Sequence, residues 1–180
     1  MLISHNPKTK TIVLIGLMGA GKSSIGRKLA AALSMPFKDT DDEIIAKFNC
    51  SIPEIFKKHG EPEFRRIEEQ EIKRLLKEPQ HVLATGGGSF INEKTRAIIK
   101  EKGISIWLKA NLDVLLERTA KRKDRPLLNS PNPRKILKSL INQRYPIYSK
   151  ADIIIETGPQ SHQNTVNQIK KKYFKMLETI

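Results

Sequence analysis

Short apolar runs alternate with longer amphipathic stretches along the chain. The runs are almost continuously apolar, as expected of strands that are covered on both faces of a sheet. Such strands, separated by helical stretches, are typical of an α/β protein with a parallel sheet. The predicted strands are Thr11–Ile15, Pro36–Asp39, Val82–Ala84, Ile104–Leu108 and Asp152–Ile155.

The stretches between the apolar runs are predicted to be helical. In one of them Leu112, Leu115 and Leu116 fall on a single helical face, which predicts packing on the sheet. The predicted helices are Lys22–Ser34, Asp42–Phe48, Pro53–His59, Pro62–Lys77, Glu93–Glu101, Asn111–Ala120, Pro133–Tyr148 and Gln160–Glu178.

The 180 residues predict a single domain with two specialised segments. Several helices without a strand between them, over about residues 40–77, indicate an insertion that could carry an acceptor site. The segment of about residues 119–133 contains prolines at positions 126, 131 and 133 and is long enough to form a lid. The core is expected to carry the phosphate-binding loop of residues 16–23.

That loop is the strongest chemical signal in the sequence. Residues 16–23 read Gly-Leu-Met-Gly-Ala-Gly-Lys-Ser and match the P-loop pattern, with a predicted strand before them and a helix after them. The glycines allow backbone N–H groups to face phosphates, and the helix N-terminus adds positive charge. Lys22 is expected to reach the β- and γ-phosphates of ATP, and the Ser23 hydroxyl to bind Mg²⁺.

A second carboxylate signal follows the loop in the sequence. Many P-loop proteins hold Mg²⁺ with an aspartate at the end of another strand, but the run Val82–Ala84 ends without one. In an extended chain Asp39 and Asp41 would share a face, so one could lie towards the metal and the other towards a substrate hydroxyl. The same residues could instead cap the helix predicted from Asp42.

Composition modifies this picture only slightly. The net charge of +14 would suit a nucleic-acid-binding protein, but aromatic residues make up only 6% and do not alternate with the basic groups. One cysteine, Cys50, excludes an internal disulfide. No apolar run is long enough for a membrane span, and the N-terminus lacks the apolar core of a secretory signal. We therefore expect a cytoplasmic protein that binds neither membrane nor nucleic acid.

Several separated motifs together resemble the shikimate kinase family. Besides the loop, they are Asp39-Thr40-Asp41, the string Gly-Glu-Pro-Glu-Phe-Arg-Arg-Ile-Glu at 60–68, three glycines at 86–88, Arg-Pro-Leu-Leu at 125–128 and Arg-Tyr-Pro-Ile-Tyr at 144–148. The resemblance implies a three-layer fold like that of the nucleoside monophosphate kinases, with a five-stranded parallel sheet flanked by helices. It also implies transfer of the γ-phosphoryl group of ATP to the 3-hydroxyl of shikimate by a monomer.

The resemblance also implies roles for individual residues. Lys22, Asp41 and Arg125 would be catalytic, and Ser23 and Asp39 would hold Mg²⁺. Arg118 would lie against adenine. The expected nucleotide-binding residues are Gly19, Ala20, Gly21, Lys22, Ser23, Ser24, Arg118, Arg125 and Pro159, and the expected shikimate-binding residues are Asp41, Arg65, Gly86, Gly87, Gly88 and Arg144.

Physical reasoning supports these roles but leaves alternatives open. Two arginines can bind a carboxylate by paired hydrogen bonds. Arg65 could equally belong to a network of charges on a helix surface, and Arg144 could serve the last carbonyls of a helix. The three glycines could let the backbone approach a ligand or form a flexible turn. Arg125 could act as an arginine finger or lie in a solvated basic loop.

One position departs from the family pattern, and three other functions compete with the leading hypothesis. Some relatives have serine in place of Ala84, and alanine has no hydroxyl to hold a water of the metal, so Mg²⁺ would depend more on Ser23 and Asp39. The alternatives are another small-metabolite kinase such as a gluconate kinase, a basic nucleic-acid-binding protein and a nucleotide-binding regulator without catalysis. The presence of Lys22, Asp39 and Arg125 disfavours the regulator.

Overall fold

The computed structural model describes residues 10–120, 132–158 and 160–179, and all statements on structure refer to these. Its centre is a five-stranded parallel sheet with the order β2-β3-β1-β4-β5. The strands are β1 (Thr11–Ile15), β2 (Phe37–Asp39), β3 (Val82–Ala84), β4 (Gly103–Ala110) and β5 (Ile153–Thr157). The predicted α/β class and the parallel sheet are thus confirmed.

Seven α-helices flank the sheet within the described residues. They are α1 (Lys22–Leu33), α2 (Thr40–Phe48), α3 (Ile52–Leu75), α4 (Glu93–Lys102), α5 (Leu112–Ala120), α6 (Pro133–Tyr148) and α7 (His162–Glu178). A short 3-10 turn, Ser89–Ile91, which the sequence pattern did not predict, lies between β3 and α4. Among the described residues no helix is both long enough and apolar enough to span a membrane.

The central strands are almost continuously apolar because the sheet is covered there, whereas the edge strand β2 is only half-buried. All five residues of β1 are buried, and β1 lies between β3 and β4, with Leu14 in register with Ala84 on one side and Ile106 on the other. Helix α1 packs against α7 and contacts β1, β2 and β3, while α4 packs against β4. Strand β4 is longer than predicted, because its apolar run continues in register with β5 as far as Ala110.

The two helices predicted over Pro53–His59 and Pro62–Lys77 are present as the two parts of one kinked element. Helix α3 runs from Ile52 to Leu75, but Gly60 has a φ of 78° and a ψ of 169°, which breaks the helical geometry immediately before Pro62. A small second apolar cluster, which includes Ile44, Ile55 and Phe64, holds α2 and α3 together. Within this element, Gly60 is the residue whose backbone departs from helical geometry.

All strands run in the same direction, so their carboxyl ends lie at one edge of the sheet. The segments that leave β1, β2 and β3 at this edge carry the phosphate loop, Asp39 with Asp41, and the three glycines, respectively. In open parallel sheets ligands bind outside this edge, where the strand order reverses. The order of β2, β3 and β1 thus brings three distant motifs together.

Candidate active site

The phosphate loop curls because glycines occupy left-handed backbone conformations. Gly19 has a φ of 81° and Gly21 a φ of 92°, a region that other residues adopt only with strain. A Cβ atom on Gly19 would also lie 2.9 Å from the Thr119 methyl carbon. Helix α1 begins directly after Gly21, so its first-turn N–H groups, which have no partners within the helix, face the loop. The result is a cradle suited to anions.

Lys22 lies in this cradle. Its ammonium group donates hydrogen bonds to the carbonyl oxygens of Gly16 at 2.8 Å and Leu17 at 3.0 Å. The side chain therefore crosses the loop and places its positive charge among the same backbone groups that would surround a phosphate. The position agrees with the predicted phosphate-binding role, which remains a prediction.

Asp39 connects the phosphate loop to helix α2. One carboxylate oxygen accepts a hydrogen bond from the Ser23 hydroxyl at 2.6 Å, and the other accepts one from the Asp41 backbone N–H at 3.1 Å. Asp39 is thus the N-cap of α2 and the partner of Ser23 at once. The capping interpretation is confirmed for Asp39, and its metal-binding role stays a prediction.

The expectation that Asp39 and Asp41 project together from an extended chain is wrong. Helix α2 begins at Thr40, two residues earlier than predicted, because the Asp39 cap replaces the start expected at Asp42. Asp41 therefore lies in the first helical turn. The two carboxylates nevertheless line the same cavity, because the cap folds the chain back over the strand end.

A cavity of about 340 Å³ lies at the carboxyl edge of the sheet. It joins the phosphate loop to Asp41 on one side and to the glycine segment after β3 on the other. Its lining residues are Gly19, Gly21, Lys22, Ser23, Ser24, Asp39, Asp41, Thr85, Gly86, Gly87, Arg118, Thr119 and His162. Ten of the predicted site residues are among them, so the structure brings together motifs that are far apart in sequence.

Ala20, by contrast, is completely buried. Its backbone N–H donates to the carbonyl of Leu17 at 3.1 Å, and its own carbonyl accepts a hydrogen bond from Arg118 at 3.4 Å. Ala20 therefore stabilises the conformation of the loop through its backbone and does not line the cavity. Ala84 is buried in β3, where its carbonyl accepts a hydrogen bond from the Thr40 hydroxyl.

Two of the three glycines at 86–88 are closely packed, whereas a Cβ atom on Gly87 would make only ordinary contacts of 3.5 Å or more. None of them has a positive φ, so the turn itself would accept other residues. A Cβ atom on Gly88, however, would lie 2.4 Å from a guanidinium nitrogen of Arg65, and one on Gly86 would lie 2.0 Å from a carboxylate oxygen of Glu68. Side chains of α3 therefore pack directly on the backbone of this segment.

Arg65 belongs to a charge network on α3 and also lies against Gly88. It donates to the buried Glu68 at 2.9 Å and to the exposed Glu61 at 3.0 Å. Burial lowers the pKa of the Arg65 guanidinium, but Glu68 and Glu61 outweigh burial and the pKa is raised. Glu68 also accepts a hydrogen bond from the Ser89 hydroxyl at 2.7 Å. A permanently charged arginine is thereby held against Gly88.

Arg144 contacts the same segment from the opposite helix. Its guanidinium donates to the carbonyl of Gly87 at 3.0 Å. Helix α6 continues through Pro146 and ends at Tyr148, as predicted. Arg144 is therefore an inward-directed side chain in the last turns of α6. It meets Gly87, as Arg65 meets Gly88.

Arg118 and His162 form the other end of the cavity. Arg118 donates to the carbonyl of Gly158 at 2.7 Å and lies 3.5 Å from the carbonyl of Gly19, so it bridges the phosphate loop and the segment after β5. Burial, and then the charges of Arg118 and Lys28, lower the pKa of the His162 imidazole. His162 was not predicted from the sequence. Its position at the start of a helix that follows a strand is the only signal that could have indicated it.

Two predicted site residues, Arg125 and Pro159, lie outside the described residues, as does most of the predicted lid of residues 119–133. Arg65, Gly88 and Arg144 are described but do not line the cavity; Arg65 contacts Gly88, and Arg144 contacts the lining residue Gly87. The residues predicted for the nucleotide and for the acceptor thus lie in or next to one cavity.

Comparison with known proteins agrees with this geometry. A family model described as shikimate kinase matches residues 18–174. A shikimate kinase of Caulobacter vibrioides is 51% identical over 162 residues, covering 90% of this chain and 81% of the relative. The solved structure of the Acinetobacter baumannii shikimate kinase in complex with shikimate has a TM-score of 0.90 and 36% identity, covering 94% of this chain and 95% of that one.

A gluconokinase from Sinorhizobium meliloti is more distant. Its structure has a TM-score of 0.63 at 18% identity, over 97% of this chain and 95% of that one. This similarity concerns the fold alone.

Proposed function

This chain belongs to the shikimate kinase family, and from that membership we propose that it transfers the γ-phosphoryl group of ATP to the 3-hydroxyl of shikimate. The products are shikimate 3-phosphate and ADP, in a step towards chorismate and the aromatic amino acids. The observation that carries the proposal is the single cavity in which Lys22 lies together with Asp41 and Gly87. Phosphoryl transfer depends mainly on positioning and charge stabilisation, and both donor and acceptor can be held there.

On the nucleotide side, the first turn of α1 and the loop would surround the phosphates. Lys22 would exchange its hydrogen bonds with the loop carbonyls for contacts with the β- and γ-phosphate oxygens, which carry far more negative charge. Arg118 and His162 line the end of the cavity away from the acceptor-side glycines, so we assign the nucleoside to them. Pro159 would complete this end.

The residues at the phosphate loop fit Mg²⁺. The Ser23 hydroxyl and the Asp39 carboxylate are hard oxygen donors with their oxygens 2.6 Å apart, and Mg²⁺ is commonly held by one or two such groups together with substrate phosphates. Over residues 10–120, 132–158 and 160–179 no three His, Cys, Asp or Glu side chains form a metal cluster of their own. When bound, Mg²⁺ would neutralise charge on the β- and γ-phosphates.

On the acceptor side, two guanidinium groups would bind the shikimate carboxylate. Arg65 and Arg144 approach neighbouring glycines of one segment, as paired recognition of a carboxylate requires. Glu61 is exposed, so its ion pair with Arg65 is weakly stabilising and can be displaced by the substrate. Glu68 is buried, so its ion pair with Arg65 would remain when the substrate binds. The Gly86–Gly88 backbone would contact the ring hydroxyls.

Asp41 would orient the hydroxyl that attacks the γ-phosphate. Its carboxylate lines the cavity near Lys22 and Ser23, and a carboxylate there can accept the proton of the hydroxyl as the bond to phosphorus forms. Because the transition state is loose, orientation matters more than early deprotonation. Arg125, in the lid of residues 119–133, would close over the transferring group and stabilise its charge.

We further propose a monomeric, cytoplasmic enzyme of one domain, with the insertion of about residues 40–77 as its acceptor-binding part. Helices α2 and α3 have an apolar cluster of their own, which supports this assignment. Binding to a membrane or to nucleic acid is not part of the function proposed.

The test is an ADP-release assay coupled to NADH oxidation, with shikimate, gluconate and a nucleoside monophosphate as acceptors. We expect ADP release to depend on shikimate, to stop on addition of EDTA and to be restored by Mg²⁺. A Lys22→Met variant should be inactive with every acceptor, which controls for contaminating kinases. Equal or greater activity with gluconate would refute the choice of shikimate, and activity unaffected by EDTA would refute the metal.

A further inference from the structure

One backbone carbonyl at the acceptor side receives two hydrogen bonds from the same helix. The carbonyl oxygen of Gly87 accepts from Arg144 at 3.0 Å and also from the hydroxyl of Tyr148. Residues four apart lie on one face of a helix, so α6 presents both donors together. Of the two, only Arg144 is expected to meet the substrate.

Tyr148 is more deeply buried than Arg144. Its side chain is completely buried, and its ring lies 5.8 Å from that of Trp107 and 6.5 Å from that of Phe90, measured between centroids. Burial raises the pKa of Tyr148 to about 12, although the charge of Arg144 acts in the opposite direction. The phenol therefore stays protonated and remains a hydrogen-bond donor throughout the neutral range.

The position of this carbonyl controls the backbone that faces the cavity. The peptide unit is planar, so fixing the Gly87 oxygen towards α6 also fixes the direction of the next N–H group. The carbonyls of Gly86 and Gly88 accept hydrogen bonds from Ser89 and Ile91, whereas the Gly87 carbonyl depends on the two donors of α6. Because glycine has little conformational preference of its own, the hydrogen bond from Tyr148 helps to select the orientation of this peptide unit.

The same hydrogen bond affects what Arg144 can do. If Tyr148 did not satisfy the Gly87 carbonyl, Arg144 would be the remaining donor to it among the described side chains. The guanidinium would then have to hold the backbone and bind the substrate carboxylate with the same N–H groups. With the phenol in place, Arg144 can turn towards an incoming carboxylate without leaving the carbonyl unsatisfied.

We propose that Tyr148 is a positioning residue of the shikimate site, which orients the Gly86–Gly88 backbone and releases Arg144 to bind the substrate. The proposal rests on the function proposed above. It predicts a larger effect on the acceptor than on ATP, since the Tyr148 hydroxyl donates to the Gly87 carbonyl of the acceptor-side segment.

The chain offers a matched control. Tyr145 lies in the same helix, its ring is 4.8 Å from that of Trp107, and burial raises its pKa to about 12 as well. Its hydroxyl, however, donates to the carbonyl of Ala110 at the end of β4, which does not line the cavity. Removing this hydroxyl should cost a similar amount of stability without disturbing the glycine segment.

The experiment compares the Tyr148→Phe and Tyr145→Phe variants with the wild type. We expect Tyr148→Phe to raise the KM for shikimate by about tenfold, with the KM for ATP changed by less than about twofold. Tyr145→Phe should leave both constants near their wild-type values at a comparable loss in Tm. The inference fails if Tyr148→Phe leaves the KM for shikimate unchanged, or if the two variants raise it equally.

A second variant retains the ring and its hydroxyl. A fluorinated tyrosine incorporated at position 148 has a more acidic phenol, so it should lose its proton, and with it the hydrogen bond, as the pH rises. The KM for shikimate should then increase with pH in this variant more steeply than in the wild type, and identical pH profiles would overturn the inference. A wild-type protein inactive on shikimate would instead refute the proposed function itself.

Discussion

Asp39 illustrates how much a single side chain does at this site. It caps α2 through the Asp41 N–H and accepts a hydrogen bond from Ser23 of the phosphate loop. The cap places Asp41 in the first helical turn, where the orientation of its carboxylate is fixed by the helix. Positioning Asp41 is therefore a consequence of local backbone chemistry, and the following prediction isolates its role.

Asp41→Asn should lower turnover by about a hundredfold or more while changing the KM for ATP by less than about twofold. The amide can still donate and accept hydrogen bonds, but it cannot take a proton and carries no charge. Steady-state kinetics with each substrate varied in turn provide the measurement. Asp42→Asn is the control, because the exposed Asp42 pairs with Arg27 at 3.3 Å. Equal losses of turnover and ATP binding in Asp41→Asn would reject the role.

A buried histidine predicts how stability depends on pH. His81 is 1% exposed; its Nδ1 lies 2.8 Å from the carbonyl of Pro79, and its Nε2 has no partner among the described residues. Protonation would bury an N–H without an acceptor, and burial lowers the pKa of His81. The unfolded chain, in which the pKa is near 6.5, therefore binds the proton first as the pH falls.

Stability contributed by neutral His81 is thus fully present above about pH 6.5 and is lost as the pH falls towards the lower pKa of the folded state. Urea unfolding at several pH values between about 5 and 7 should show the free energy of unfolding rising with pH, and His81→Asn should flatten this slope. The exposed His59 provides the control through His59→Asn. An unchanged slope in His81→Asn would contradict the assignment.

Some of these residue-scale features could be predicted and others could not. The loop pattern names Lys22 and Ser23 because the chemistry depends on residues adjacent in sequence. The contact of Arg65 with Gly88 and the role of His162 depend instead on tertiary packing between distant segments. His162 belongs to no motif, and only the strand order brings it to the cavity.

At the scale of elements, helix α3 links α2 to the glycine segment. Both parts of α3, before and after the kink at Gly60, contribute to the apolar cluster with α2, and the longer second part also carries Arg65 and Glu68 to the glycine segment. The sequence predicted two helices here, the second beginning at Pro62. Proline is compatible with the first turn of a helix, so the second helix can begin directly after the break at Gly60.

The close packing between α3 and residues 86–88 yields a paired prediction. In Gly88→Ala the added methyl would meet the Arg65 guanidinium at 2.4 Å, and this flexible side chain would move away. The KM for shikimate should rise by about tenfold or more, with little change in Tm. In Gly26→Ala the methyl would lie 2.5 Å from the Phe37 ring, in the core.

Gly26→Ala should therefore lower the free energy of unfolding by about 1–3 kcal/mol and leave the KM for shikimate near the wild-type value. Thermal unfolding and steady-state kinetics on both variants distinguish these effects. The account of the glycine segment is wrong if Gly88→Ala binds shikimate normally.

At the scale of the whole molecule, the parallel sheet gathers the motifs and the net charge plays a smaller part than its size suggests. The charge of +14 includes lysines of α7 that serve the fold. Lys170 donates to the carbonyl of Ala32 and Lys172 to the carbonyl of Ile154. These hydrogen bonds connect α7 to the end of α1 and to β5. The sequence alone did not indicate this role for the lysines.

More of the secondary structure than of the site could be predicted from the sequence. Apolar runs predicted four strands and the parallel direction of the sheet, because covered strands need apolar side chains on both faces, and the short extended piece Pro36–Asp39 supplied the fifth. Element ends shifted by one or two residues where caps decided them, as at Thr40 and at His162, which follows the Ser161 cap. No pattern along the chain specifies which strands are neighbours.

Transfer of labelled phosphate tests the central claim most directly, that one cavity holds ATP and a small hydroxylated acid for in-line transfer. The purified protein would be incubated with Mg²⁺, shikimate and ATP carrying ³²P in the γ-position, and the products separated. The account predicts labelled shikimate 3-phosphate in amounts equal to the ADP formed. Label that appears only as inorganic phosphate, or stays on ATP, would contradict it.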